Sequence, residues 1–149
     1  MTSTSEDPQP IRLILEDVDL TGWVYTHGQR MTDILQSGEP FQYLPAGGDP
    51  SQWTEMFPDD VVLVVPPPHV SEPALRVHGN QTAVVIHAGT FRIAGTAHMR
   101  PGEQDDPMWR ATRRFLPLTN ATFGREDEEA QQAEVVIVNM HRTSEFEIA

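Results

Sequence analysis

One relation inside the chain limits its fold more than any other: the sequence matches itself. Shifted by 73 positions, Gly22 falls on Gly95, Val62 on Val135, Val65 on Val138, Ser71 on Ser144 and Glu72 on Glu145. One extra residue before Gly102 moves the offset to 74, and Gly28 then meets Gly102, Phe41 meets Phe115 and Leu44 meets Leu118. Apolar positions follow the same shift, Leu13 with Ile86, Leu20 with Ile93 and Leu75 with Ile148. The copies run over 11–76 and 84–149, with 77–83 as linker and 1–10 as a disordered tail. A unit repeated once leaves two similar apolar faces to bury, and the simplest solution packs the copies together about a pseudo-twofold axis.

Each copy reads as β-rich. In "VVIHAGTFRIAGTAHM" two alternating runs flank a glycine turn signal, which predicts a hairpin. Phe91, Ile93, Gly95, Ala97 and Met99 alternate onto one face, and Arg92, Thr96, His98 and Arg100 onto the other. The first copy sets Ile11, Leu13 and Leu15 against Val18, Leu20, Gly22 and Val24. A glycine at matching places in each second strand predicts a bulge or a close backbone approach. A short helix should follow, capped by Thr32 before "DILQS" and by Asp106 and Pro107 before "MWRATRR". Pro117 confines the strand at "RRFLPLTNAT" to an edge, an end or a bulge. The expected fold class is α+β and β-rich: two pseudo-twofold-related ββαβββ repeats with curled antiparallel sheets, each carrying one short helix.

Composition narrows the function. The chain has no cysteine, which excludes disulfides, thiolate metal sites and a cysteine nucleophile. Its net charge is −12 and all ten basic residues are arginine, a poor balance for binding a phosphate backbone. The apolar runs are too short to span a bilayer, and the polar start lacks the apolar core of a secretory signal, so a cytoplasmic location is expected.

Motifs for chemistry are missing. The six histidines, His27, His69, His78, His87, His98 and His141, form neither HxH nor HExxH spacing. There is no G-x-S-x-G elbow, no P-loop and no dinucleotide fingerprint. Asp106 serves as a helix cap and Asp59–Asp60 as loop punctuation, rather than as acid–base pairs. An enzyme would need His87 or His98 within hydrogen-bond reach of a carboxylate. The expectation is therefore a non-enzymatic chain with no metal and no cofactor.

The copies differ most in one loop. The first inserts "PAGGDPSQWTEMFPDDV", where Trp53, Met56 and Phe57 have i, i+3, i+4 spacing; one helical turn would gather them into an apolar knob that anchors a partner or folds back over the sheet. The second fills the interval with Glu126, Asp127, Glu128 and Glu129, a solvated turn or a dock for an arginine-rich partner. "VVPPPHV" at 64–70 removes backbone donors and would blunt a sheet edge.

The glycine-bearing hairpin, short helix, "FLPLTNA" phrase and "VVIVN" strand together resemble a small uncharacterised bacterial domain, most closely at Gly95, Gly102, Phe115 to Ala121 and Val135 to Asn139. That resemblance implies a fold and brings no catalytic residues. "IRLILEDVDLTGWVY" also has the rhythm of the first two strands of an Sm-like domain, which would imply RNA or small-ligand binding through Arg92, Arg100, Arg110, Arg113 and Arg114. The favoured expectation is a protein-interaction or assembly module, in a hetero-complex or homo-oligomer and as an accessory subunit of a larger bacterial complex. Trp53, Met56 and Phe57 would make the contact and the acidic loop would come second.

Overall fold

The computed structural model describes residues 8–49, 51–67, 80–99 and 113–148. Ten strands are defined in them: β1 (Gln9–Ile14), β2 (Asp19–Val24), β3 (Phe41–Pro45), β4 (Thr54–Met56), β5 (Leu63–Val65), β6 (Asn80–Ala88), β7 (Phe91–Met99), β8 (Phe115–Arg125), β9 (Gln131–Asn139) and β10 (Thr143–Ile148). One α-helix, α1 (Met31–Gln36), stands among them, with 3-10 turns at Pro58–Asp60 and Met140–Arg142. All ten strands join in a single antiparallel sheet in the order β10-β6-β7-β8-β9-β5-β1-β2-β3-β4.

This order corrects the expected pair of ββαβββ repeats, each with its own curled sheet and helix. β5 and β9 hydrogen-bond to each other, so the halves share one sheet instead of packing one sheet on another. The junction pairs Val64 with Ile137, residues that are themselves 73 apart, and β1–β2 and β6–β7 keep matching registers, Ile11 opposite Gly22 and Val84 opposite Gly95. Beyond the junction the match fails. β5 continues to β1, whereas β9 continues to β8. The first-half insertion supplies β4, which covers the margin of β3, while β10 covers β6. The second helix expected at 106–114 lies almost wholly outside the described residues. β1 already includes Gln9 and Pro10, and β6 includes residues 80–83 of the expected linker.

The alternation of β5, β8 and β9 divides the interior into two cores. Val136 and Val138 enter one core and Ile137 the other; Leu116 and Leu118 part from Phe115 in the same way, and Leu63 from Val64. Successive side chains of a strand point to opposite faces, so the two cores sit on opposite faces of the shared sheet. Each borrows from the other half. Ile14, Val62 and Leu63 complete the second core, built on β6–β9, and Phe115 and Ile137 complete the first core, built on β1–β4 and α1.

The two strand glycines mark close approaches. A side chain on Gly22 would overlap the Leu44 carbonyl oxygen and lie 2.7 Å from the Tyr43 ring; one on Gly95 would lie 3.1 Å from Leu118 Cβ. Opposite Gly95 the β7–β8 register slips, because Ala94 pairs with Thr122 and Thr96 with Thr119. Asn120 sits in this bulge at φ 48°, the left-handed region that asparagine tolerates better than most side chains. Pro117 pairs with Ile137 on the β9 side, just past the last β7–β8 pair at Leu118, so its missing donor leaves the ladder intact.

Helix α1 starts two residues earlier than a Thr32 cap would allow. Arg30 is its N-cap residue, without a side-chain cap bond, and Thr32 lies inside the helix. Met31 and Leu35 bury into the first core. Gln36 Oε1 accepts from the backbone N–H groups of Arg114 (3.0 Å) and Phe115 (2.8 Å), which ties the helix to the start of β8.

Candidate functional site

In β2 the inward residues are Gly22 and Val24, so Trp23 points to the opposite face, and continued alternation brings Tyr25 out beside it. Trp23 is 41% exposed. Its partner across the ladder is Leu44, which lies on the opposite face from Phe41 and Tyr43 and belongs to neither core. Trp53, just before β4, stacks on Tyr25 with ring centroids 4.5 Å apart, and Tyr25 in turn stacks on His27 at 5.8 Å. Offset stacking of this kind holds the rings in place beyond what burial alone provides. The result is an aromatic platform on the outer face of β2–β4.

The platform shares its sheet face with the second core. Ile14 of β1 alternates onto that face and is a member of that core, while Arg12, two residues earlier, stands between core and platform. Its guanidinium lies over the Phe123 ring and forks onto Asp19 through Nε at 2.9 and 3.1 Å and Nη2 at 2.5 Å. The hydrogen bond to Asp19 raises the Arg12 pKa against the opposing effect of burial, and the charge of Asp19 adds to the rise. At the far margin Gln42 and Glu55 face each other, both exposed. The site is thus an apolar floor rimmed by the Arg12–Asp19 pair on one side and by Gln42 and Glu55 on the other.

The structure separates the three residues that helical spacing would gather. They form the strand β4 and its flanks, not a helical turn. Met56 pairs with Phe41 and is buried in the first core, so it is removed from any contact surface. Trp53 joins the platform. Phe57, 49% exposed, precedes the 3-10 turn at Pro58–Asp60. Trp23 and Tyr25 are the residues that sequence reasoning passed over. The signal was present, since "LTGWVY" carries apolar groups on both alternating faces, and a strand facing water on one side does not need that.

Glu126, Asp127, Glu128 and Glu129 form the exposed β8–β9 turn. Arg125 anchors it: Nη1 is 3.5 Å from Glu128, Nη2 donates to the Glu16 carbonyl at 2.6 Å, Nε donates to Thr90 Oγ1, and the guanidinium lies over Phe91. A shallow cleft of about 240 Å³ opens there, lined by Arg12, Asp17, Asp19, Phe91, Arg125 and Glu128 among others. Its arginines already hold partners within the fold.

Neither histidine of the hairpin reaches a carboxylate at hydrogen-bond distance. His87 Nε2 is 3.9 Å from Glu145, and His98 Nε2 contacts Thr119 Oγ1 at 2.8 Å. His98 Nδ1 is buried without a partner among the described residues, and burial lowers the His98 pKa. Among the described residues no three histidine or acidic side chains are grouped to hold a metal. Of the arginines invoked for nucleic acid, Arg114 is bound to Asp59 at 2.8 Å and Arg92 lies exposed on β7, while Arg100 and Arg110 lie outside the described residues. No described helix is long and apolar enough to cross a membrane.

No family model matches the chain, and neither a curated protein nor a solved structure does.

Proposed function

We propose that the chain is a protein-interaction module that docks a partner protein on the outer face of β2–β4. The observation that carries this reading is the platform of Trp23, Tyr25 and Trp53, with Leu44 beside Trp23. A sheet face that serves a core at β1 continues to its margin as aromatic surface, with Trp23 exposed and Tyr25 and Trp53 half-buried beside it. Tryptophan and tyrosine supply large contact area for few rotatable bonds, which is why they concentrate binding energy at interfaces. Asp19 and Glu55 at the rim, on a chain of net charge −12, favour a partner whose apolar centre is ringed by basic groups. An origin by duplication goes with this reading and is supported by the shared 73-residue register, with the platform lying where the two copies differ most in sequence.

The test is native mass spectrometry of the tagged chain taken gently from its host. A defined hetero-complex should be captured by the wild type and lost with Trp23→Ala and Trp53→Ala, while His98→Gln keeps it. Trp53→Ala should cost only the ~0.5–1.5 kcal/mol of a half-exposed aromatic stack in thermal unfolding. A complex that survives both tryptophan substitutions, or a chain that captures nothing, would overturn the proposal.

A further inference from the structure

Trp23 stands between two paired neighbours, opposite Pro10 on β1 and opposite Leu44 on β3. β2 is therefore an interior strand, and contact on the platform runs through side chains rather than through an added ladder. Pro10 is exposed and alternates onto the same face as Arg12, which puts it beside Trp23 on the outer surface. Pro10, Trp23 and Leu44 thus make an apolar row across three strands, and continued register places Trp53 just beyond Leu44. Strands stand about 4.8 Å apart, so the first three span roughly 10 Å.

The row carries donors as well as apolar area. The indole N–H groups of Trp23 and Trp53 can only donate, and among the described residues neither makes a hydrogen bond. A matching segment brings apolar side chains and unbonded carbonyls. A helix keeps its carbonyls bonded internally, and an added strand needs an open edge. A polyproline II segment fits both conditions, because its backbone makes no internal bonds and proline has no donor to satisfy. It rises about 3.1 Å per residue, so residues i and i+3 lie about 9 Å apart and reach the two ends of the row. The flanks differ in charge. Asp19 is occupied by Arg12, whereas Glu55 on β4 is exposed and holds no cation among the described residues.

We propose, resting on the docking reading above, that the partner presents a proline-rich segment in polyproline II form with an arginine or lysine at its β4 end. Its prolines pack on Pro10, Trp23 and Leu44, its carbonyls accept from the indole N–H groups, and its cation lies beside Glu55. Such a segment is already extended before it binds, so little ordering entropy opposes the contact.

The probe is a synthetic peptide of one arginine and a run of prolines, titrated into the full chain by calorimetry. Its comparators are a helix-forming peptide of alanine, leucine and one arginine, and a soluble glucan oligosaccharide. The proline peptide should bind at least about tenfold more tightly than either, and Trp23→Ala should weaken it by a similar factor. Glu55→Arg should weaken it too and favour a proline peptide carrying glutamate in place of arginine, which a misfolded chain would not do. Added to the complex captured from the host, the proline peptide should release the partner. A complex that depends on Trp23 yet resists the peptide would overturn the polyproline assignment and leave the docking surface standing. Equal binding of the helical peptide, preference for the oligosaccharide, or proline binding indifferent to Trp23→Ala would each overturn the assignment as well.

Discussion

At the residue scale, Gly22 carries the sharpest constraint. Any Cβ there would run into the Leu44 carbonyl oxygen and the Tyr43 ring, and a backbone carbonyl within a paired strand has little room to give. Gly22→Ala should therefore cost about 3 kcal/mol, at the upper end of overpacking. Gly95→Ala meets its nearest atoms at 3.1–3.4 Å and should cost about 1 kcal/mol, so a denaturant series that reversed this order would refute the geometry. Both positions were readable as close approaches from glycine inside an alternating run. His98 was not readable, because its role depends on what the fold places beside it. Protonation would put a charged donor at a buried Nδ1 with no acceptor among the described residues, and burial accordingly lowers its pKa below the usual 6.5. As the pH falls below 6.5 the unfolded chain takes up this proton first, so the His98 contribution to stability is complete above that value and declines as pH drops toward the folded pKa. His98→Gln should flatten the pH dependence of the melting temperature below pH 6.5, and an unchanged slope would remove His98 as its source.

At the scale of elements, hairpins were legible and helix boundaries were not. The two-residue turn between β6 and β7 and the matched first hairpin follow from period-two alternation broken by turn residues. The spacing of Trp53, Met56 and Phe57 fits a helical turn, yet the margin of β3 offered unpaired backbone, and pairing 54–56 to it won over local spacing. That choice sends Met56 inward and leaves Trp53 to stack on Tyr25. Helix α1 holds its place through a contact no local pattern announces. Gln36 satisfies two backbone donors of the second half, so Gln36→Ala should cost about 2 kcal/mol by leaving both unpaired. A loss no larger than that of a surface alanine substitution would mean that water replaces it.

At the scale of the molecule, the halves should unfold as one, because each core is completed by residues of the other. Asn139 sits at this seam, fully buried. Its Nδ2 donates to the Val61 carbonyl at 2.7 Å, its Oδ1 accepts from His141 N–H at 2.9 Å, and its own backbone N–H donates to Val62. Nearby, Asp59 accepts from Arg114 through its side chain and from Arg142 through its carbonyl, a second tie across the seam. Asn139→Leu should cost about 2 kcal/mol by stranding the buried Val61 carbonyl and freeing the part-buried His141 N–H. Asn139→Asp should cost at least as much at neutral pH, since it sets a carboxylate against the Val61 carbonyl. One cooperative transition, moved as a whole by either substitution, is the expected calorimetric result; two separate transitions would show that the halves are independent.

From the sequence alone came the strands with a turn between them, the glycines where backbones touch and the matching of two halves, because these rest on alternation and on local sterics. How those halves would meet was beyond its reach. Joining β5 to β9, rather than stacking two sheets, depends on which strand edges remain open once β4 and β10 have covered others, and on the fit of Val64 against Ile137. That same competition for edges and faces put Trp53 beside Tyr25, left Trp23 at the surface and buried Asn139. It is settled by contacts between residues far apart in the chain, and only the assembled sheet contains them.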